Sequence, residues 1–111
     1  MANKIKTTVL DNHGNSYASD VYVQHDANIN SAILADLRVP ISMLFFKSHA
    51  HKDAGYSPFV PIVDTDKKIP ISVFFKEITP EEAASLNAIA VQNYVTEYLS
   101  EIYGKDNVET V

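Results

Sequence analysis

Residues 79–104 read TPEEAASLNAIAVQNYVTEYLSEIYG, and this stretch decides the fold class. Thr79 can cap a helix, Pro80 suits the first helical position, and Glu82 completes a capping box three residues after the cap. The spacing predicts one helix over 80–103, ended by Gly104 in a left-handed conformation that glycine adopts without a Cβ clash. Ala84, Ala88, Val91, Val95, Leu99 and Ile102 form an apolar stripe suited to a sheet. Ala83, Leu86, Ala90 and Tyr94 form an adjacent one, and Ile89 and Tyr98 widen the apolar surface. Ser85, Gln92, Asn93, Thr96 and Ser100 make a polar strip that predicts the solvent side.

Everything before this helix reads mostly as strand. In 4–10, Ile5, Thr7 and Val9 alternate with Lys4, Lys6 and Thr8; in 16–24, Tyr17, Ser19, Val21 and Val23 alternate with Ala18, Asp20 and Tyr22. Period-two patterning of β-branched and aromatic residues marks strands. The intervening Asp11-Asn12-His13-Gly14-Asn15 is turn chemistry, so the two segments are expected to form an antiparallel hairpin, with His13 exposed at its tip. Ile29, Ile33 and Leu37 recur at helical spacing, which predicts a short helix over 28–38 that Pro40 terminates.

The next two segments echo each other. Val39-Pro40-Ile41-Ser42 opens one apolar run and Ile69-Pro70-Ile71-Ser72 opens another. Both read as strands begun by a proline, which lacks the N–H a central ladder position needs. Ser57 to Val63 carries two prolines and reads as an edge strand. Asp64-Thr65-Asp66-Lys67-Lys68 reads as the turn that joins it to the 69–78 strand in a second hairpin. The element order is therefore β-β-α-β-β-β-α. It describes a two-layer α+β sandwich with a mainly antiparallel sheet and a long C-terminal helix. Residues 1–104 are expected to form the single domain and 105–111 a short, loose polar tail.

Composition narrows the function classes. The chain has no cysteine, which removes disulfides, thiolate metal sites and a cysteine nucleophile. With no apolar leader at its start, it is expected to be cytoplasmic. No apolar run approaches the length of a membrane span. The net charge is −5; Arg38 is the one arginine and the lysines are scattered among acids, which disfavours nucleic-acid binding. No glycine-rich phosphate loop, nucleophile elbow or His-Glu-x-x-His pattern occurs.

One short segment could carry chemistry. In His49-Ala50-His51-Lys52-Asp53, an extended backbone would put His49, His51 and Asp53 on one face, where two imidazoles and a carboxylate could hold a divalent metal. The competing reading is a solvated loop after a strand. His25 adjoins Asp26, a neighbour that favours the protonated ring. Two function classes follow. The first is a non-enzymatic binding or assembly protein, without a cofactor, that self-associates or meets a protein partner. A helix of roughly 36 Å outruns strands of roughly 17–20 Å, so Tyr94, Tyr98 and Tyr103 are expected in a homo-oligomer contact. The second is a small metal-dependent or acid–base enzyme built on His49, His51 and Asp53.

Overall fold

The computed structural model describes residues 2–18, 20–29, 36–63 and 71–111. Their strands are β1 (Ala2–Ile5), β2 (Val9–Asp11), β3 (Ser16–Tyr17), β4 (Val21–Ala27), β5 (Arg38–Phe46), β6 (Pro61–Ile62), β7 (Val73–Glu77) and β8 (Val108–Thr110). The helices are α1 (His49–Asp53), α2 (Pro80–Ala84) and α3 (Ala88–Tyr103), with a 3₁₀ turn at Lys105–Asn107. The expected helix over 28–38 falls mainly on 30–35, and the expected turn at 64–68 falls on 64–70; both lie outside the described residues. At the described end of the first, Leu37 has a φ of +54° and Arg38 already belongs to β5.

The first hairpin forms in the expected antiparallel sense, but it divides between two sheets. Ile5 faces Val21 in the β1–β4 pair, and Val9 faces Tyr17 in the β2–β3 pair. The two positions are four apart on each arm, so one register runs through both halves. The arms bend between them, where Asp20 takes a φ of +61°, a conformation that aspartate tolerates better than most residues. The turn beyond is organised by Asp11. Its buried carboxylate accepts from the N–H groups of His13 and Asn15, both at 2.8 Å, from Asn15 Nδ2 at 3.1 Å and from the Tyr17 hydroxyl at 3.0 Å. Burial pushes the Asp11 carboxyl up, but these hydrogen bonds outweigh it and hold the group below its ordinary value.

The main sheet has the order β7-β5-β4-β1-β8, antiparallel throughout, and β3-β2-β6 makes a smaller one. Phe59 ties them together: its N–H donates to the Phe45 carbonyl at 2.8 Å and its ring stacks on Tyr17 at 4.1 Å. The second expected hairpin is therefore corrected. Pro61–Ile62 pairs with β2, and Val73–Glu77 pairs with β5. The two echoing segments are thus partners of each other: Ser42 faces Val73 and Pro40 faces Phe75. Pro40 is the third residue of β5 and not its first, since Arg38 and Val39 already pair with β7. Its carbonyl accepts from Asn28 N–H at the far end of the β4–β5 ladder.

The long helix is corrected too. The capping box forms as read, with Glu82 N–H donating to Thr79 Oγ1 at 3.2 Å and Thr79 N–H donating to Glu82 Oε1 at 3.0 Å. This helix ends at Ala84, however, and α3 starts afresh at Ala88. Asn87 is the new cap, its side chain accepting from Ala90 N–H at 2.9 Å. An asparagine competes for backbone N–H groups inside a helix and is better used at a cap. Val91, Val95 and Leu99 lie buried on the inner sheet face with Ile5, Val21, Val23, Val39, Ile41, Met43 and Phe45, while Ala84 and Ala88 are exposed. The tail is not loose: Val108–Thr110 forms the edge strand β8 on β1, and Lys6 pairs with Glu109 at 2.7 Å.

The strip expected to face solvent is half wrong. Gln92 is buried, and its Nε2 donates to Asn3 Oδ1 at 2.6 Å and to Thr96 Oγ1 at 3.2 Å. Asn3, fully buried on β1, donates to Thr96 Oγ1 at 3.0 Å and to the Glu109 carbonyl at 3.1 Å. These bonds join α3 to β1 and β8 in one polar contact. Among the described residues, no helix is long and apolar enough to cross a membrane.

Candidate functional site

The His49–Asp53 segment is a helical turn, not an extended strand. Ser48 caps it, accepting from His51 N–H at 3.2 Å. Helical rotation brings positions four apart together, so His49 Nε2 reaches Asp53 Oδ2 at 3.5 Å, with both side chains more than half exposed. His51 turns the other way. Its Nδ1 lies 3.0 Å from Ser48 Oγ, and its ring leans on Tyr56 at 5.1 Å. The period-two convergence of three ligands is thus replaced by one pair and one outlier. Among the described residues, no three His, Asp or Glu side chains are grouped to hold a metal. What α1 does is cover part of the outer sheet face. His49 stacks on Tyr22 at 4.6 Å, and Lys52 Nζ stands 5.8 Å from the same ring. An open cleft of about 390 Å³ between Lys4, Tyr22, Ser48 and His49 remains beside it.

The three tyrosines expected at a subunit contact all have partners within the chain. The Tyr94 hydroxyl donates to Glu82 Oε2 at 3.0 Å, and Lys76 Nζ lies 5.1 Å from its ring. Tyr98 stacks flat on Phe74 of β7, with centroids 4.0 Å apart and planes 4° from parallel. Tyr103 packs against the core, and its buried hydroxyl has no hydrogen-bond partner among the described residues. Burial pushes that hydroxyl far above the ordinary tyrosine value. It also raises Tyr94 and Tyr98, with Glu82 adding to the first and Glu101 to the second.

An exposed apolar patch lies elsewhere. On the outer face of the main sheet, away from α3, Leu44 is 48% exposed, Val73 54% and Phe75 57%. The β5–β7 register places these side chains next to one another, and the Arg38 guanidinium lies 4.7 Å from the Phe75 ring at the patch margin. Among the described residues, no strand covers the adjoining edge. Met43 N–H donates to the Ser72 carbonyl at 2.7 Å, and Ile78 N–H to the Leu37 carbonyl at 2.9 Å. Ladder bonds alternate along an antiparallel strand, so Phe74 and Lys76 bond back to β5. The N–H and C=O groups of Val73, Phe75 and Glu77 point the other way, and among the described residues no strand pairs with them. Sequence carried a signal for this patch. In Met43-Leu44-Phe45-Phe46 and Val73-Phe74-Phe75 the apolar residues occupy both parities, so each strand must be apolar on two faces while α3 covers one.

No protein family, no curated protein and no solved structure matches this chain. The geometry alone therefore carries the functional reading.

Proposed function

We propose that this is a non-enzymatic binding protein that works as a self-associated assembly, joined through the outer face and β7 edge of the five-stranded sheet. The observation that carries this reading is the coincidence of two incomplete features on one strand. Val73 and Phe75 present exposed apolar side chains to the outer face, and the same residues present to the edge backbone groups that pair with no strand among the described residues. A contiguous exposed apolar patch marks an interaction site, and an open strand edge is a template for another strand. A second copy satisfies both at once. About a two-fold axis at Phe75, two β7 strands meet antiparallel, exchange backbone hydrogen bonds and place each Phe75 beside its own copy. Isologous two-fold pairing is the commonest way that proteins cover such a surface. A cytoplasmic setting suits this cysteine-free, non-covalent association.

Light scattering across a concentration series tests it. The expected result is a dimer or larger species at high micromolar concentration, returned to monomer by Phe75→Glu, which places a charge inside the contact. A monomeric wild-type protein at that concentration would overturn the reading. An assembly broken by Tyr98→Glu but not by Phe75→Glu, with both variants folded, would move the interface to α3.

A further inference from the structure

The inner face of the main sheet has two ends, and at one of them the described residues leave a cleft. His25 follows Val21 and Val23 on the inward-facing positions of β4 and stands opposite Met43 of β5. Among the described residues, helical cover over this end begins at Ala88, after the break at 85–87. A cleft of about 270 Å³ results between β4 and the first turn of α3. Its walls are Ala27, Ile29, Ala88 and Val91, with Asp26 at the border from the neighbouring, outward-pointing position. His25 is the inward-facing polar side chain among these lining residues. Its Nδ1 is buried and has no hydrogen-bond partner among the described residues. Buried polar atoms are paired as a rule, and one that is not asks for a partner from outside the fold. Two other buried polar atoms have no partner among the described residues, Gln92 Oε1 and the Tyr103 hydroxyl, but neither residue lines this cleft.

We propose that this cleft binds a small, uncharged molecule with an apolar body and one hydroxyl or carbonyl oxygen, the oxygen hydrogen-bonding to His25 Nδ1. The apolar body follows from the walls, which offer methyl and aliphatic groups to displace water from. The single oxygen follows from the single unpaired nitrogen. The absence of charge follows from the surroundings. Burial first, and the positive charge of the chain's N-terminus second, hold the His25 ring below its ordinary pKa, against the opposing pull of Asp26, so the neutral imidazole is favoured over the charged one. The Asp26 carboxylate at the border repels an anion. A cleft smaller than the roughly 300–1,000 Å³ of drug-sized sites limits the ligand to a fragment. This arrangement is that of a typical small-molecule site, apolar walls with few polar groups that set orientation.

Phenol is the probe, with benzoate as the charged counterpart, titrated into the full chain and followed by NMR. The expected result is saturable shifts at the amides of Ala27, Ala88 and Val91 and at the His25 ring nitrogens. Benzoate should bind about tenfold more weakly, and His25→Leu, with an unchanged circular dichroism spectrum, should weaken phenol about tenfold, the loss of one hydrogen bond. Shifts that never saturate or that map elsewhere overturn the proposal. So does an unchanged phenol affinity in His25→Leu, or benzoate binding as tightly as phenol. Should the variant fail to fold, the wild-type ring decides: nitrogen shifts that stay constant as phenol saturates the amides overturn the assigned hydrogen bond.

Discussion

The two faces of the five-stranded sheet are built from similar residues and end in opposite conditions. On the inner face Val21, Val23, Val39, Ile41 and Phe45 are fully buried beneath α3. On the outer face Leu44, Val73 and Phe75 stand about half exposed, although α1 shelters Tyr22 on the same face. Alternation along a strand sorts residues onto two faces, but it does not say which face will be covered. Cover is decided by where the helices land, and this chain has one long helix for a sheet with two apolar faces. The inner face also admits polar groups at a cost that the outer one never meets, since Asn3 and Gln92 must bond to each other to be tolerated there.

The strongest way to break this contrast is to truncate one side chain on each face. Leu99→Ala is expected to lower the free energy of unfolding by about 3 kcal/mol, within the range for emptying a packed core site. Phe75→Ala, measured by denaturant titration at low protein concentration, should stay within about 0.5 kcal/mol of wild type. Comparable losses at the two positions would mean that the outer face is covered after all. Next in size is the polar contact on the inner face. Asn3→Leu leaves Gln92 Nε2 with Thr96 Oγ1 alone, removes a donor from Thr96 and Glu109, and should lose about 2 kcal/mol. Adding Gln92→Leu should recover part of the loss, because the polar groups then leave together.

A smaller effect tests how α3 is set over its face. Asn87→Ala removes the side-chain cap on Ala90 N–H and should cost about 1 kcal/mol by thermal or chemical unfolding. The smallest concerns pH and the cleft end of the inner face. The folded-state pKa of His25 lies below its unfolded value, so the unfolded chain takes up the proton first as pH falls. The stability tied to the neutral ring is fully present above the unfolded value of about 6.5 and is lost as pH drops from there toward the folded value. Unfolding curves between pH 7 and pH 5 should show this decline in wild type and a shallower one in His25→Leu. Asp11, whose folded pKa is also lowered, contributes in the same direction. Its window lies at or below about pH 4, so the two contributions separate.

Much of the fold was legible because it rests on neighbours in sequence. The Thr79–Glu82 capping box, the Asp11–Asn15 turn, the stripe of Val91, Val95 and Leu99, and the alternation of Val21 and Val23 each need only a few adjacent residues to be read. Most of the misreadings involve distant partners. Residues 57–63 and 69–78 looked like a hairpin because they are close in the chain, yet β7 finds β5 and β6 finds β2. Gln92 looked like a surface residue until Asn3, far away in sequence, supplied its acceptor. Val108–Thr110 is too short and polar to announce a strand, and it becomes one by joining the free edge of β1. His49, His51 and Asp53 were grouped on an assumed extended backbone, and the helix capped by Ser48 separates them.

The residue order by itself determined the local conformations: where helices can start, where the first hairpin turns, which strands alternate, and hence an α+β fold. It also determined that apolar residues would outnumber the places available beneath one helix. Tertiary structure alone decided which strand lies beside which, and that Leu44, Val73 and Phe75 remain on the outside while His25 faces a cleft. Local preferences arise from sterics and hydrogen bonds among adjacent residues, which the order specifies directly. Strand partners and covered faces are chosen by competition among many distant contacts for the same buried surface, and that competition is settled only when the whole chain has folded.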